Sequence, residues 1–299
     1  MDALLGSIAG WFHFLNKIKV KKMNVSEIKK ELWHGNGWAV IEGCDIVNPE
    51  ESILDSMAGF GLILNQNNNG DLISFVHDKG LTADDVLNKG VVSGDNKGQT
   101  TNRPYLTNAE LEFHTDLCDL AFLLCVTPAS RGGESKIVNS KAVYNYMSQH
   151  FPSDVVILSD TFKIMHQTPL KPDGKNYLID IPIFTEHKGN FSSFLLRTFI
   201  FVTYQRLGLP LSDKHVAALN RVNEVSEKLC TTFKLKAGDL FIMNNHQAYH
   251  ARNSFDDPKR LLLRGWVSDA ESFELAPAFR DLYGDGVGAG ARRGGFVKL

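Results

Sequence analysis

The sequence predicts a mainly β protein with flanking helices, on three observations. Short apolar runs recur along the chain and are bounded by Gly, Pro or Asn, which is typical of strands. Strands and helices do not alternate regularly, and no Gly-x-Gly-x-x-Gly sequence is present, which argues against a doubly wound nucleotide-binding fold. At 299 residues, with 43% hydrophobic residues, the chain is long enough for one large domain with a well-buried core.

The individual elements follow from local patterns. A short helix is expected over 24–32, with Ser26 as its N-cap, followed by a strand at Trp38–Ile41. A second helix is expected to begin after Pro49, and polar loops are expected at 65–70 and 93–108. The other predicted helices cover 142–150, 194–207 and 214–230, and the other predicted strands cover 121–126, 161–167, 177–183, 240–243 and 261–267.

The two ends of the chain differ from its middle. Residues 1–23 form an amphipathic segment in which apolar side chains precede a basic run, the reverse of a secretory signal. We expect this segment to pack as a helix on the domain or on a partner chain; association with a membrane surface is the alternative. A single domain is expected over 24–283, and 284–299 is expected to be a flexible glycine-rich tail.

Charge and cysteine content narrow the class of protein. A net charge of −2 and a pI near 6.6 give no reason to expect nucleic-acid binding. The four cysteines show no CxxC pairing, so reduced thiols in a cytoplasmic protein are expected. No apolar run is long enough for an integral membrane segment, and a small molecule is the expected partner, with a homo-oligomer left open.

A His-x-Asp pair is the most informative feature of the sequence. On a strand, residues i and i+2 point to the same face, so His114 and Asp116 can converge on one metal ion. A third imidazole from a distant strand, for which His250 is the candidate, would complete two histidines and one carboxylate. That set with open positions is typical of non-haem Fe(II) oxygenases. A double-stranded β-helix, or jelly roll, suits ligands from such widely separated strands.

Two arginines follow the second histidine within an apolar strand. Arg260 and Arg264 are four residues apart, so both side chains are expected to face one side of the strand. A guanidinium directed into a β-barrel interior is costly unless it meets an anion, and a carboxylate held by two hydrogen bonds is its natural partner. The combination suits a keto acid that chelates iron while its far carboxylate binds arginine.

These features together resemble the taurine dioxygenase-like (TauD/TfdA) family of Fe(II)- and 2-oxoglutarate-dependent dioxygenases, which includes clavaminate synthase-like enzymes. The resemblance covers roughly Trp38 to Val267. It depends on ordered motifs at His114-Thr115-Asp116, Gly132-Gly133-Glu134-Ser135, Gly238-Asp239, Asn245 through His250, and Arg260 through Arg264.

Carried over by position, the resemblance implies His114, Asp116 and His250 as the catalytic iron ligands. It implies Arg260 and the Ser135 hydroxyl as the groups that bind the C5 carboxylate of 2-oxoglutarate, and Arg264 as a second arginine near the substrate or the other end of the cosubstrate. The two arginines could exchange these roles. The cofactors implied are Fe(II), with 2-oxoglutarate and O2 as cosubstrates.

Several alternatives stay open. His246 competes with His250, although the family ligand lies five residues after the asparagine that Asn245 matches. Asp119 could be structural or contact substrate. The retained Asp116 favours hydroxylation over halogenation, because related halogenases replace this carboxylate; desaturation and cyclisation stay open. A zinc hydrolase and a catalytically silent binding protein are the rival classes, and a small amino-acid-like or secondary-metabolite substrate is expected by analogy.

Overall fold

A computed structural model describes residues 17–19, 24–67, 69–82, 91–92, 100–101, 104–165, 178–269 and 275–280. Within these ranges the helices are α1 (Val25–His34), α2 (Pro49–Ala58), α3 (Ser140–His150), α4 (Pro152–Ser159), α5 (Arg197–Leu207), α6 (Asp213–Leu229) and α7 (Pro277–Arg280). The first nine strands are β1 (Lys17–Lys19), β2 (Trp38–Glu42), β3 (Leu62–Leu64), β4 (Ser74–Val76), β5 (Val91–Val92), β6 (Thr100–Thr101), β7 (Leu111–His114), β8 (Leu120–Thr127) and β9 (Ser135–Asn139). The other eight are β10 (Thr161–Met165), β11 (Leu178–Pro182), β12 (Phe184–His187), β13 (Asn190–Ser193), β14 (Thr231–Phe233), β15 (Leu240–Asn244), β16 (Ala248–Arg252) and β17 (Leu261–Ser268).

Two sheets form the centre of the molecule. The larger has the order β1-β2-β15-β8-β17-β3, with β4 also paired to β17, and the smaller has the order β14-β9-β16-β7. Along the chain, β7, β8 and β9 alternate between the small and the large sheet, and β14 through β17 repeat that alternation. Such alternation is that of a jelly roll, in agreement with the predicted mainly β core with flanking helices.

The central strands of the large sheet are buried on both faces, which explains their continuous apolar runs. On β8, Leu120, Phe122 and Leu124 pack in a cluster with the side chains of α1 and α2. Ala121 and Cys125 of the same strand belong to a second, larger cluster that includes residues of the small sheet. Because successive side chains of a strand point to opposite faces, one strand contributes to both cores.

Helix boundaries differ from the sequence-based expectation at two places. Asn24, not Ser26, caps α1, because the Asn24 side chain accepts a hydrogen bond from the Glu27 backbone N–H at 3.3 Å. Helix α5 begins at Arg197 and not at 194, since Phe194 and Leu195 instead make backbone bonds to Ile183 and Thr115. The N–H of Thr198, in the first turn, donates to Glu112 Oε1 at 3.0 Å.

Some expectations concern residues that the structure describes only in part. Of the segment 1–23, the described residues 17–19 form β1, which pairs in parallel with β2; the rest lies outside the described residues, as do the tail 284–299 and residues 93–99 of the predicted loop. Cys44, Cys118, Cys125 and Cys230 form no disulfide among the described residues. Among the described helices, none combines the length and apolarity needed to cross a bilayer.

Candidate metal and keto-acid site

The three predicted metal ligands come together at the end of β7, beside the middle of its partner strand β16. His114 is the last residue of β7 and lies directly opposite His250 on β16, with their ring centroids 4.1 Å apart. One ligand atom each from His114, Asp116 and His250 can be chosen such that all lie within 4.8 Å of one another. Asp116 and His250 are buried, and His114 is partly exposed. This spacing leaves room for one ion between the three side chains.

Asp116 reaches the site by a different route from the one expected. The strand ends at His114, so Asp116 does not share a strand face with it. Its position is instead set by the backbone: the Asp116 N–H donates to Asn245 Oδ1 at 2.8 Å, and the adjacent Thr115 N–H donates to Leu195 O at 2.8 Å. The convergence is as predicted, but the irregular segment after β7, and not the strand alternation, produces it.

The protonation states of this group suit a cation. His114 Nδ1 donates to the carbonyl of Glu112 at 2.8 Å, so Nε2 is the ring nitrogen that this bond leaves available. Burial, together with the neighbouring His114, lowers the pKa of His250 to about 3, so its ring is neutral. Burial alone would raise the pKa of Asp116, but the Arg264 guanidinium, the two histidines and the Trp266 N–H together hold it below its usual value.

Arg264 is held beside the metal ligands. Its Nη1 lies 3.5 Å from Asp116 Oδ1, and its Nε donates to Gln66 Oε1 at 3.2 Å. The guanidinium carbon lies 4.4 Å from the centre of the Tyr105 ring and 4.6 Å from that of Trp266. Stacking on two rings fixes the plane of this cation.

Arg260 lies at a second buried position. It directly precedes β17, and the pairing of β17 with β8 shifts register between Leu261 and Leu262, so its inward direction does not follow from a regular strand. The side chain is 4% exposed, and its Nη1 has no hydrogen-bond partner among the described residues. Burial lowers its pKa to about 10, so it keeps its charge at neutral pH. A buried cation in this state calls for an anion.

The Gly132-Gly133 turn is shaped around Arg260. Both glycines have φ of 71°, a conformation that other residues avoid. A Cβ on Gly133 would lie 3.1 Å from Arg260 Nε, and one on Gly132 would lie 2.2 Å from the Ser254 carbonyl oxygen. Ser135, two residues beyond Gly133, begins β9, is buried and lies opposite Arg252 on β16.

Sequence reasoning did not single out three residues of this region. Arg252 is 5% exposed, and its Nη2 binds the carbonyls of Thr107 at 2.8 Å and Ala109 at 2.5 Å. Trp266 and Gln66 contact Asp116 and Arg264. Arg252 follows His250 by two positions, as Trp266 follows Arg264, so the strand period could have indicated both. Gln66 lies in a polar loop that carries no such signal.

His246 and Asp119 form a separate buried pair. His246 Nε2 donates to Asp119 Oδ1 at 2.7 Å, and both side chains are fully buried. The second oxygen of Asp119 accepts hydrogen bonds from the Ser268 hydroxyl at 3.2 Å and the Asp269 N–H at 2.9 Å. Both residues therefore have structural partners, which favours His250 over His246 as the metal ligand.

Comparison with known proteins agrees with this geometry. Residues 18–266 match the model of the "Taurine catabolism dioxygenase TauD, TfdA family". The chain is 26% identical over 259 residues to FR-33289 synthase of Streptomyces rubellomurinus, covering 82% of this chain and 72% of the relative. It is 32% identical over 191 residues to the taurine hydroxylase-like protein SAT17 of Stachybotrys chartarum, covering 59% of this chain and about half, 48%, of that protein.

Solved structures show the same fold. Asparagine oxygenase in complex with Fe(II), 2S,3S-3-hydroxyasparagine and succinate superposes with a TM-score of 0.60 at 15% identity, covering 81% of this chain and 78% of that one. The non-heme iron oxygenase OrfP in complex with Fe and alpha-ketoglutaric acid superposes with a TM-score of 0.56 at 15% identity, covering 82% and 79%. The predicted jelly-roll core is thereby confirmed. With the family model matched over most of its length, the chain belongs to the TauD/TfdA dioxygenase family.

Proposed function

We propose that this protein uses His114, Asp116 and His250 to hold Fe(II), and Arg260 with Ser135 to bind the C5 carboxylate of 2-oxoglutarate. Its reaction is the oxidation of an unactivated C–H bond in a small amino-acid-like or secondary-metabolite substrate, and hydroxylation is the favoured outcome. Family membership makes the protein an Fe(II)- and 2-oxoglutarate-dependent dioxygenase. The single observation that carries the residue assignment is the approach of two imidazoles and one buried carboxylate within 4.8 Å.

The donor set fits Fe(II). Nitrogen ligands must be unprotonated and the carboxylate ionised, and the low pKa of both His250 and Asp116 meets that requirement. His250 Nδ1 is buried and has no hydrogen-bond partner among the described residues. This is expected of a histidine whose ring is positioned by a bound metal ion. When bound, Fe(II) with 2-oxoglutarate and O2 supplies the oxidant for C–H hydroxylation.

The two arginines bind opposite ends of 2-oxoglutarate. Arg264 is already engaged with Asp116, so it belongs to the metal end, where it can orient the carboxylate next to the keto group. Arg260 has unused hydrogen-bonding capacity and its own cradle in the Gly132-Gly133 turn, which supports it as the anchor of the far carboxylate. This assignment favours one of the two arrangements that the sequence left open.

The nature of the substrate is supported by the relatives. One solved structure holds 3-hydroxyasparagine and another, of OrfP, holds (3S)-hydroxy-L-Arg, while one relative is named as the synthase of FR-33289. We infer a free amino acid or a related small metabolite for this chain. Asp116 occupies the position that halogenases leave open, which favours hydroxylation; desaturation and cyclisation use the same residues. Four cysteines in the thiol form support a cytoplasmic location.

Succinate formation tests the proposal. Purified protein supplied with Fe(II), 2-oxoglutarate and O2 should release succinate, and a panel of amino acids should contain compounds that stimulate the release and gain one oxygen atom by mass spectrometry. Asp116→Ala should abolish both signals. If anaerobic Fe(II)-loaded protein does not bind 2-oxoglutarate in calorimetry, the proposal is wrong.

The role of Arg260 has its own test. Replacing one partner of a buried charge pair costs about 2–5 kcal/mol, so Arg260→Ala should raise the 2-oxoglutarate Kd by about 30-fold or more. Arg131→Ala is a matched control, because Arg131 is 83% exposed and pairs with Asp256 at the surface. An unchanged Kd in Arg260→Ala would show that Arg264, and not Arg260, binds the C5 carboxylate.

A further inference from the structure

Both oxygens of the Asp116 carboxylate have protein partners, and the two partners differ. The indole N–H of Trp266 donates to Oδ2 at 3.1 Å. Arg264 Nη1 lies 3.5 Å from Oδ1, longer than the roughly 2.7–2.9 Å of a good charge-assisted hydrogen bond. Oδ2 is therefore engaged by a directed donor, whereas Oδ1 keeps lone pairs available for an ion.

Trp266 is held rigidly enough to fix this choice. Its side chain is 4% exposed, and the residue lies within β17 between Ala121 of β8 and Leu64 of β3. Its ring also packs against the Arg264 guanidinium at 4.6 Å. A large aromatic side chain with paired strands on both sides has little freedom to move its N–H away from Oδ2.

The number of oxygens that the carboxylate uses matters for the reaction. An octahedral ion bound by two imidazoles and one carboxylate oxygen has three open positions, which two donor atoms of a chelating keto acid and one O2 would fill. A carboxylate that binds through both oxygens takes one of those positions. A donor fixed on Oδ2 makes this second mode unfavourable, because the oxygen would have to give up its hydrogen bond in a buried site.

We propose that Trp266 is a positioning residue that holds Asp116 as a one-oxygen metal ligand and so keeps the third coordination position open. The inference depends on the proposed function, because it concerns the same three ligands. Trp266 contacts neither substrate nor metal in this role; it acts through the carboxylate, as outer partners of metal ligands do.

Metal affinity in the absence of turnover tests the proposal. Mn(II) is a redox-stable probe, and its free concentration is measured by electron paramagnetic resonance. Loss of an outer partner costs about 10–100-fold in metal affinity, so Trp266→Phe should raise the Mn(II) Kd at least about tenfold. The 2-oxoglutarate Kd of the Mn(II)-loaded variant should rise as well, because the released carboxylate competes for its position.

Trp33→Phe is the matched control. Trp33 is also a buried tryptophan whose N–H donates to a carboxylate, Asp269 Oδ2 at 2.9 Å, but that carboxylate belongs to the network around Asp119 and not to the metal site. Its loss should leave the Mn(II) Kd at the wild-type value. Equal Mn(II) affinities for Trp266→Phe and wild type would overturn the proposal.

A second substitution covers the case in which Trp266→Phe does not fold. Site-specific replacement of Trp266 by 3-benzothienylalanine keeps a fused ring of similar shape and puts a sulfur, which cannot donate a hydrogen bond, in place of the N–H. It should raise the Mn(II) Kd in the same way. An unchanged Kd in this folded variant overturns the role of Trp266 while leaving the dioxygenase intact. If wild-type protein itself binds neither Mn(II) nor 2-oxoglutarate, the proposed function fails instead.

Discussion

Asp116 and Asp119 lie three residues apart, and the histidines that approach them, His250 and His246, lie four residues apart on a second segment. The Asp119–His246 pair is closed: the histidine donates directly to the carboxylate at 2.7 Å, and the other carboxylate oxygen has two donors. In the Asp116–His250 pair, by contrast, the His250 Nδ1 has no hydrogen-bond partner among the described residues. The ligand atoms of His114, Asp116 and His250 lie within 4.8 Å of one another, a spacing that suits a shared ion.

The difference separates a structural pair from a ligand set of the same residue types. A buried polar group that its own chain leaves unpaired costs free energy, and such groups persist where a ligand supplies the missing partner. The closed pair and the open pair lie on the same two segments of the chain, 116–119 and 246–250. Asn245 joins the two, because its N–H donates to the Asp119 carbonyl and its Oδ1 accepts from the Asp116 N–H.

The largest expected effect is on metal binding. His250→Ala should lower Mn(II) affinity by more than about a hundredfold and abolish succinate formation, since even outer partners cost about 10–100-fold. His246→Ala, if folded, should still bind Mn(II). The comparison would be broken if His246→Ala lost the metal and His250→Ala kept it, as measured by electron paramagnetic resonance of the free ion.

The second effect is on folding and should run the opposite way. His246→Ala leaves a fully buried Asp119 oxygen without its donor, and loss of one partner of a buried hydrogen bond costs about 1–3 kcal/mol, more where the remaining group is charged. Urea denaturation of the metal-free protein measures the free energy of unfolding. A loss for His250→Ala equal to that for His246→Ala would contradict the view that only one pair is structural.

A third effect concerns stabilisation by the metal. Mn(II) at a hundred times its Kd should stabilise the wild type by about 2.7 kcal/mol, because it binds only the folded chain. Asp119→Asn, which keeps the metal ligands, should show a gain of the same sign, and His250→Ala none. Urea midpoints with and without Mn(II) measure this stabilisation. If Mn(II) also stabilised His250→Ala, the metal would bind at a different site.

The smallest expected effect is at the joint between the pairs. Asn245→Ala leaves the buried Asp116 N–H without its acceptor, which costs about 1–3 kcal/mol. Both unfolding free energy and Mn(II) affinity should decrease, since the residue serves both pairs. A change in stability alone, with Mn(II) affinity intact, would show that the position of Asp116 in the metal site does not depend on this bond.

The sequence predicted the metal ligands better than the residues that hold those ligands in place. His114, Asp116 and His250 could be selected because metal chemistry restricts residue types and the family order fixes their positions. Ser26 was chosen as the α1 cap where Asn24 serves, because two adjacent polar residues offer the same chemistry and only the backbone decides. Trp266 and Arg252 were missed although each lies two positions from a predicted site residue on the same strand. Gln66 could not be found, since its contact with Arg264 joins a polar loop to a strand 198 positions away.

The Gly132-Gly133 turn has a consequence for cosubstrate choice. With no Cβ at position 133, the turn lies against Arg260 Nε, so the guanidinium position is set by bare backbone. If Arg260 holds the far carboxylate and the three ligands hold the near end, the separation between them acts as a ruler for the length of the 2-oxo acid. Discrimination against shorter or longer keto acids then depends on a main-chain turn and not on the choice of a side chain.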